Sequence, residues 1–237
     1  GKSLLKCHMA ANHLMYGKNV LYITMEMAEE EIGRRIDANI MDITMDEVNE
    51  IPRDVYDKRL ARYKTKTTGK LIIKEYPTAS AHAGHFKGLL NELSLKKSFK
   101  PQIIFIDYLN ICASSRFKGG NISSYFYIKA IAEELRGLAV EFDVPIFSAT
   151  QTTRTGFVST DIGLEDTSES FGLPATADFM FALMSNEELE ALGQMKVKQL
   201  KNRYNDPGTN RAFIIGVDKS KMRLYDVENS AQNIVDS

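Results

Sequence analysis

Lys2 and Ser3 follow Gly1 directly and open a stretch with helical apolar spacing. A phosphate-binding loop ends this way. Its Lys reaches the β- and γ-phosphates, its Ser binds Mg²⁺, and the helix N-terminus offers free N–H groups to an anion. A tripeptide at a chain start is a weak signal alone, since chance or a cloning remnant reads the same. Position adds weight. Asp107 follows the apolar run Ile103-Ile104-Phe105-Ile106, Glu26 follows Val20-Leu21-Tyr22-Ile23 by way of Thr24 and Met25, and Gln151 follows the strand after Pro145. Each is placed at the carboxyl end of a parallel strand, where open α/β sheets bind ligands. One acid after a strand is commonly only a helix cap; three polar groups at one edge beside a phosphate loop are harder to dismiss. Phosphoryl transfer needs charge neutralisation, a held Mg²⁺ and an oriented water. Asp107 is expected to hold Mg²⁺ through its water shell, Glu26 to polarise the attacking water, and Gln151 to sense the γ-phosphate of ATP.

Lys201 and Arg203 end a strand before Asn205-Asp206-Pro207-Gly208, a tight-turn sequence. By spacing they read as part of a charged edge strand with Lys196 and Lys198, since edges are often charged to prevent pairing. The alternative is an arginine finger reaching a neighbour's γ-phosphate. His82 and His85 form an H-x-x-H pair, but with no third ligand nearby a helix-start surface pair is the better reading. Tyr125 and Tyr127 read as packing residues at a helix entrance, with base stacking as the alternative.

The elements that must position these groups are legible as short apolar runs at 20–23, 71–73, 103–106, 146–147, 179–181 and 213–215, alternating with helices. Continuous apolarity predicts strands buried on both faces, as in a parallel sheet covered by helices. One helix is expected from Ser3 to about Tyr16, with Leu4, Cys7, Ala11 and Leu14 inward and Gly17 ending it. A second carries Ile128, Ile131, Ala132, Leu135, Leu138, Ala139 and Phe142 on one face. The segment 40–69 reads as surface helices, and 114–124 and 152–167 read as mobile loops. The fold class is α/β, a mostly parallel central sheet flanked by helices.

Composition excludes several classes. No apolar run approaches the ~20 residues of a membrane-spanning helix, and no signal-peptide core follows the N-terminus, so a cytoplasmic protein without a membrane partner is the default. Cys7 and Cys112 are far apart and form neither a disulfide framework nor a zinc site. With 30 basic and 31 acidic residues, net charge −1, any nucleic-acid contact must be local.

Gly1-Lys2-Ser3, Thr24-Met25-Glu26-Met27, Ile106-Asp107-Tyr108-Leu109, Thr150-Gln151 and Lys201-Asn202-Arg203 fall in the order of the DnaB-type replicative helicases, which the chain resembles over almost its whole length. It is most similar to the branch from T-even-type bacteriophages, in Asp37-Ala38-Asn39, Leu90-Asn91-Glu92-Leu93, the run 129–136 and the run 172–180. The resemblance implies a RecA-like P-loop ATPase core over 1–237, a homo-hexameric ring with ATP between subunits, 5′ to 3′ translocation on single-stranded DNA, primase and helicase-loader partners, and the host cytoplasm if phage-encoded. It makes Lys201 and Arg203 trans-acting γ-phosphate contacts. It also implies two channel loops on DNA: one at 114–124 with Arg116 and Lys118, the other around Ser168, Glu169 and Ser170. The second loop departs from the bacterial pattern, having Ser168 and Phe171 where an Arg and a Gly are usual; Arg154 is the candidate for the missing charge.

By the same resemblance a first strand, the glycine-rich start of the phosphate loop and an N-terminal domain belong before Gly1, and the piece alone is expected to bind nucleotide poorly without that backbone cradle. A RecA-like recombinase or regulatory ATPase is the rival within the fold, and strand pairing rather than displacement would mark it. A non-catalytic replisome scaffold is the rival outside enzymes, although a scaffold does not need Lys2, Glu26 and Asp107 together.

Overall fold

The computed structural model describes residues 1–117, 122–151, 163–164, 172–206, 208–209, 211–228 and 232. Its first half is a parallel sheet of β1 (Val20–Thr24), β2 (Leu71–Glu75), β3 (Ile103–Asp107) and β4 (Ile146–Ser148), in the order β2-β1-β3-β4. Alternate residues of the central strands enter two different cores, as a period of two requires. Val20, Tyr22, Ile103 and Phe105 pack with Cys7, Ala11, Leu14, Ile32 and Ile36, from α1 (Lys2–Met15) and α2 (Glu29–Met41). Leu21, Ile23, Ile104 and Ile106 pack with residues of α5 (Ala83–Lys97) and α6 (Ser124–Phe142). Between α2 and β2 lie α3 (Met45–Glu50) and α4 (Arg53–Lys64), the expected surface helices; no residue of α4 is buried. Gly17 follows α1 at φ +77°, the left-handed conformation its position predicts.

The chain departs from β1 to β2 on one side and returns to β3 on the other, so the strand order reverses between β1 and β3. That crevice is where doubly wound sheets bind ligands. Register places Thr24 opposite Asp107, which sets Glu26 just past the end of β1 beside the end of β3.

The parallel pairing expected for most of the sheet is confined to the first half, and the second half is antiparallel. After α7 (Gly172–Thr176) come β5 (Phe179–Met184), α8 (Glu187–Ala191), β6 (Gln194–Asn202), β7 (Ala212–Asp218) and β8 (Arg223–Asp226). β5 to β8 form a four-stranded antiparallel sheet in sequence order. Its connections are too short for parallel crossovers, which need a dozen or more residues. One consequence is that Phe179 and Phe213, expected to be buried, are 50% and 41% exposed. The edge-strand reading of Lys196, Lys198, Lys201 and Arg203 also fails. β6 lies between β5 and β7, and Lys198 is buried. Of the 114–124 stretch expected to be a mobile loop, and of the 152–167 loop, residues 118–121, 152–162 and 165–167 lie outside the described residues, and the stem of the first is hydrogen-bonded to α6. Glu134 of α6 accepts from Ser114 Oγ at 2.6 Å, Ser115 N at 2.9 Å and Ser115 Oγ at 2.7 Å.

Candidate active site

Gly1 occupies the N-cap position of α1 and has no side chain to cap it, so Lys2 and Ser3 occupy a first turn whose N–H groups point outward. The Lys2 ammonium lies 5.1 Å from the Tyr108 ring centroid. Burial draws its pKa down, and the negative charges of Glu26 and Asp107 oppose that shift. Gln151 Nε2 donates to Tyr108 Oη at 3.3 Å. Lys2, Glu26, Asp107 and Gln151 therefore meet around Tyr108 at the carboxyl ends of β1, β3 and β4. Glu26 is exposed, on a turn fixed by Thr24, whose Oγ donates to Met27 O at 2.8 Å and accepts from Met27 N at 3.1 Å. Met25 N also donates to Asp107 O at 3.0 Å, locking this turn to β3.

Beneath this edge lies a buried polar cluster. Lys6, one turn beyond Lys2 on α1, forms an ion pair with Asp107 Oδ1, both residues being at most 1% exposed. Tyr22 Oη donates to Asp107 Oδ2 at 3.1 Å, and burial keeps this phenol protonated by pushing its pKa up. Both carboxylate oxygens of Asp107 are thus engaged. Breaking a buried pair leaves an uncompensated charge. Lys6→Met is expected to cost about 3–5 kcal/mol in urea denaturation, and Lys6→Met with Asp107→Leu should recover most of it. A single variant as stable as the parent would show that the pair is not formed.

Lys201 and Arg203 occupy a second cluster. Lys201 Nζ donates to Pro174 O and Ala175 O at the end of α7. Arg203 Nη2 donates to Ala175 O at 3.0 Å, and Arg203 Nε lies 3.1 Å from Asp178 Oδ1. Charges near Lys201 include Arg203, Asp178 and Arg136, whereas those near Lys2 include Glu26, Asp107 and Lys6.

The sequence model of the DnaB-like helicase C-terminal domain matches residues 1–215. The chain belongs to this family. It is 46% identical over 234 residues to the DnaB-like replicative helicase of Enterobacteria phage T4, covering 98% of this chain and 49% of that protein. It is 28% identical over 157 residues to a probable plasmid replicative DNA helicase of Chlamydia trachomatis, covering 65% of this chain and 33% of the relative. The chain thus spans about half or less of the length of these relatives. A DnaB-like replicative helicase, solved in work on its interactions with primase, matches the fold at TM-score 0.75 and 19% identity, covering 95% of this chain and 54% of that one. A second solved structure, of an ATPase domain, matches at TM-score 0.77 and 18% identity, covering 95% and 80%. The fold is therefore the RecA-like core expected from sequence.

Within this DnaB-like domain, several contributors escape sequence reasoning. Tyr108 lies inside a family motif but carries no evident role there. Lys6 looks like a surface lysine, although its spacing of four from Lys2 aims it along the same helix face. Asp178 and Arg136 sit inside runs shared with the phage branch, without any chemical signature. His82 and His85 behave as a helix start: His82 Nδ1 accepts from Gly84 N at 3.0 Å and His85 Nδ1 from His82 N at 3.3 Å. Tyr127 is a packing residue whose Oη accepts from Ser114 N at 3.1 Å. Of the DNA-contact candidates, Arg116 pairs with Glu133 at the surface, while Lys118, Arg154, Ser168, Glu169 and Ser170 lie outside the described residues. No group of three or more metal-ligating side chains occurs among the described residues.

Proposed function

We propose that this chain is the ATPase motor of a replicative DNA helicase, coupling ATP hydrolysis to 5′ to 3′ translocation on single-stranded DNA and to duplex unwinding in a homo-hexameric ring. The observation that carries this reading is the separation of two clusters in one chain. Lys2, Glu26, Asp107 and Gln151 gather at the β1–β3 crevice, and Lys201 and Arg203 gather at the end of α7. A head-to-tail ring brings the first cluster of one subunit to the second of the next.

Lys2 and the uncapped turn of α1 bind the ATP phosphates, and Ser3 with the water shell of Asp107 holds the metal. Mg²⁺, when bound, neutralises charge on the β- and γ-phosphate oxygens. Lys6 and Tyr22 fix the Asp107 carboxylate so that it reorganises little during turnover. Glu26 orients and polarises the water, Gln151 reports the γ-phosphate through Tyr108 to the segment that follows, and Arg203 with Lys201 stabilises transferring charge in the neighbour's site. Arg116, Lys118, Arg154 and the 168–170 segment line the channel on DNA. A small basic lining repeated six times is compatible with a net charge near zero. Primase and a loader are the expected replisome partners, the former supported by the structural relative solved in connection with primase. An intracellular site fits this role, and no helix among the described residues is long and apolar enough to cross a membrane.

The test is strand displacement on forked duplexes by the full-length protein, with DNA-stimulated ATP hydrolysis measured in parallel. Unwinding that requires a 5′ tail is the expected result. Strand pairing without displacement would replace the helicase with a recombinase, and ATP binding without hydrolysis or displacement would replace it with a scaffold.

A further inference from the structure

Arg203 is not simply an exposed cation at a strand end. Its N–H donates to Asp178 O at 2.8 Å, and its Nε lies 3.1 Å from Asp178 Oδ1, close enough to pair although not aligned as a hydrogen bond. Asp178 is itself held. Arg136 Nη1 donates to Asp178 Oδ2 at 2.6 Å and to Thr176 O at 3.3 Å. The Arg136 hydrogen bond keeps the Asp178 carboxyl below its usual pKa, so the clamp stays charged. These contacts occupy Nε and Nη2 of Arg203; its two Nη1 N–H groups take no part in them.

Arg136 belongs to α6, and three residues earlier the same helix grips the stem of the 114–124 segment. Glu133 pairs with Arg116, and Glu134 accepts from Ser114 and Ser115. One continuous 19-residue helix therefore holds that stem and the partner of Arg203 within a single turn.

We propose that Asp178, clamped by Arg136, is the positioning residue for Arg203, and that α6 makes the placement of Arg203 depend on the 114–117 stem of the loop proposed to contact DNA. This rests on Arg203 being the contact to a neighbour's γ-phosphate and on that loop touching DNA. A shift of the stem on engaging DNA moves α6, and the Arg136–Asp178 clamp carries the shift to the guanidinium. Stimulation of hydrolysis by DNA then has a route that does not pass through the nucleotide-binding half of the same chain.

The experiment uses the full-length protein carrying Asp178→Asn, Asp178→Glu, Arg136→Met, Glu134→Gln or Arg203→Ala. A displacement of about an ångström at a group acting on the transition state lowers rate by up to roughly a hundredfold. Asp178→Asn and Arg136→Met are therefore expected to lower DNA-stimulated kcat by roughly ten- to a hundredfold, with KM for ATP little changed. Asp178→Glu should recover most of the loss. Combining Asp178→Asn with Glu134→Gln should give less than the product of the separate effects, because both interrupt one route. If Asp178→Asn does not fold, Arg136→Met carries the same comparison, since Arg136 is partly exposed and retains its aliphatic stem. Asp178→Asn and Arg136→Met turning over like the parent while Arg203→Ala is inactive would overturn the positioning role and leave the finger standing. Arg203→Ala turning over like the parent would overturn the finger reading itself. Effects that multiply would sever the link to α6.

Discussion

Glu26→Gln is expected to lower DNA-stimulated ATP turnover by about two to four orders of magnitude, the usual contribution of a positioned general base, while ATP affinity stays near that of the parent. Glu26 lies past the end of β1, where the Thr24 turn and the Met25–Asp107 backbone bond hold it beside Asp107 and near Lys2. The substitution preserves shape and removes only basicity. Because Glu26 is exposed, stability should move by no more than about 0.5 kcal/mol, so lost turnover cannot be ascribed to unfolding. Nucleotide binding by fluorescence, phosphate release with and without single-stranded DNA, and thermal melting separate these effects. Turnover within a few-fold of the parent would remove Glu26 as the base.

Arg203→Ala is expected to lower turnover by roughly a thousandfold or more, the range assigned to arginine fingers. Among the described residues, its side-chain contacts are a surface ion pair with Asp178 and a hydrogen bond at the end of α7. Exposed pairs contribute about 0–1 kcal/mol, so the folded subunit should tolerate the loss. Lys201→Ala should be milder, because lysine acts as a point charge where arginine presents a fork matched to phosphate oxygens. Parallel assays of phosphate release and ring assembly would check both, and equal losses in the two variants would contradict the assigned division of labour.

Much of the first half is legible in the sequence because its signals are local. Continuous apolar runs locate β1 and β3, and the next polar residue marks the sheet edge. Thr24 and Asp107 then fall opposite each other in the observed register. The antiparallel half is less legible, since a run such as Phe213-Ile214-Ile215 carries no direction. The short link Lys219–Met222 between β7 and β8 holds that information. β6 misleads for a related reason: repeated lysines resemble an exposed edge, yet long aliphatic stems allow Lys198 to sit in a central strand.

In the candidate site, the groups expected to contact nucleotide can be read from strand ends, but the groups that hold them cannot. Lys6, Tyr22, Arg136 and Asp178 act through pairs distant in sequence: Lys6 and Asp107 are 101 residues apart, and Arg136 and Asp178 are 42 apart. No local pattern encodes such a meeting. The strand-end rule points to the groups expected to contact substrate, and the three-dimensional arrangement finds the residues packed against them.

The most direct test of an active site shared between neighbours mixes two inactive proteins, Glu26→Gln and Arg203→Ala. In a randomly mixed ring, roughly a quarter of the head-to-tail interfaces pair an intact Glu26 from one subunit with an intact Arg203 from the next. A site shared between neighbours predicts that DNA-stimulated ATP hydrolysis, absent from either protein alone, returns on mixing. Rings shown to contain both proteins yet remaining inactive would contradict it, because Glu26 and Arg203 would then have to act from the same chain.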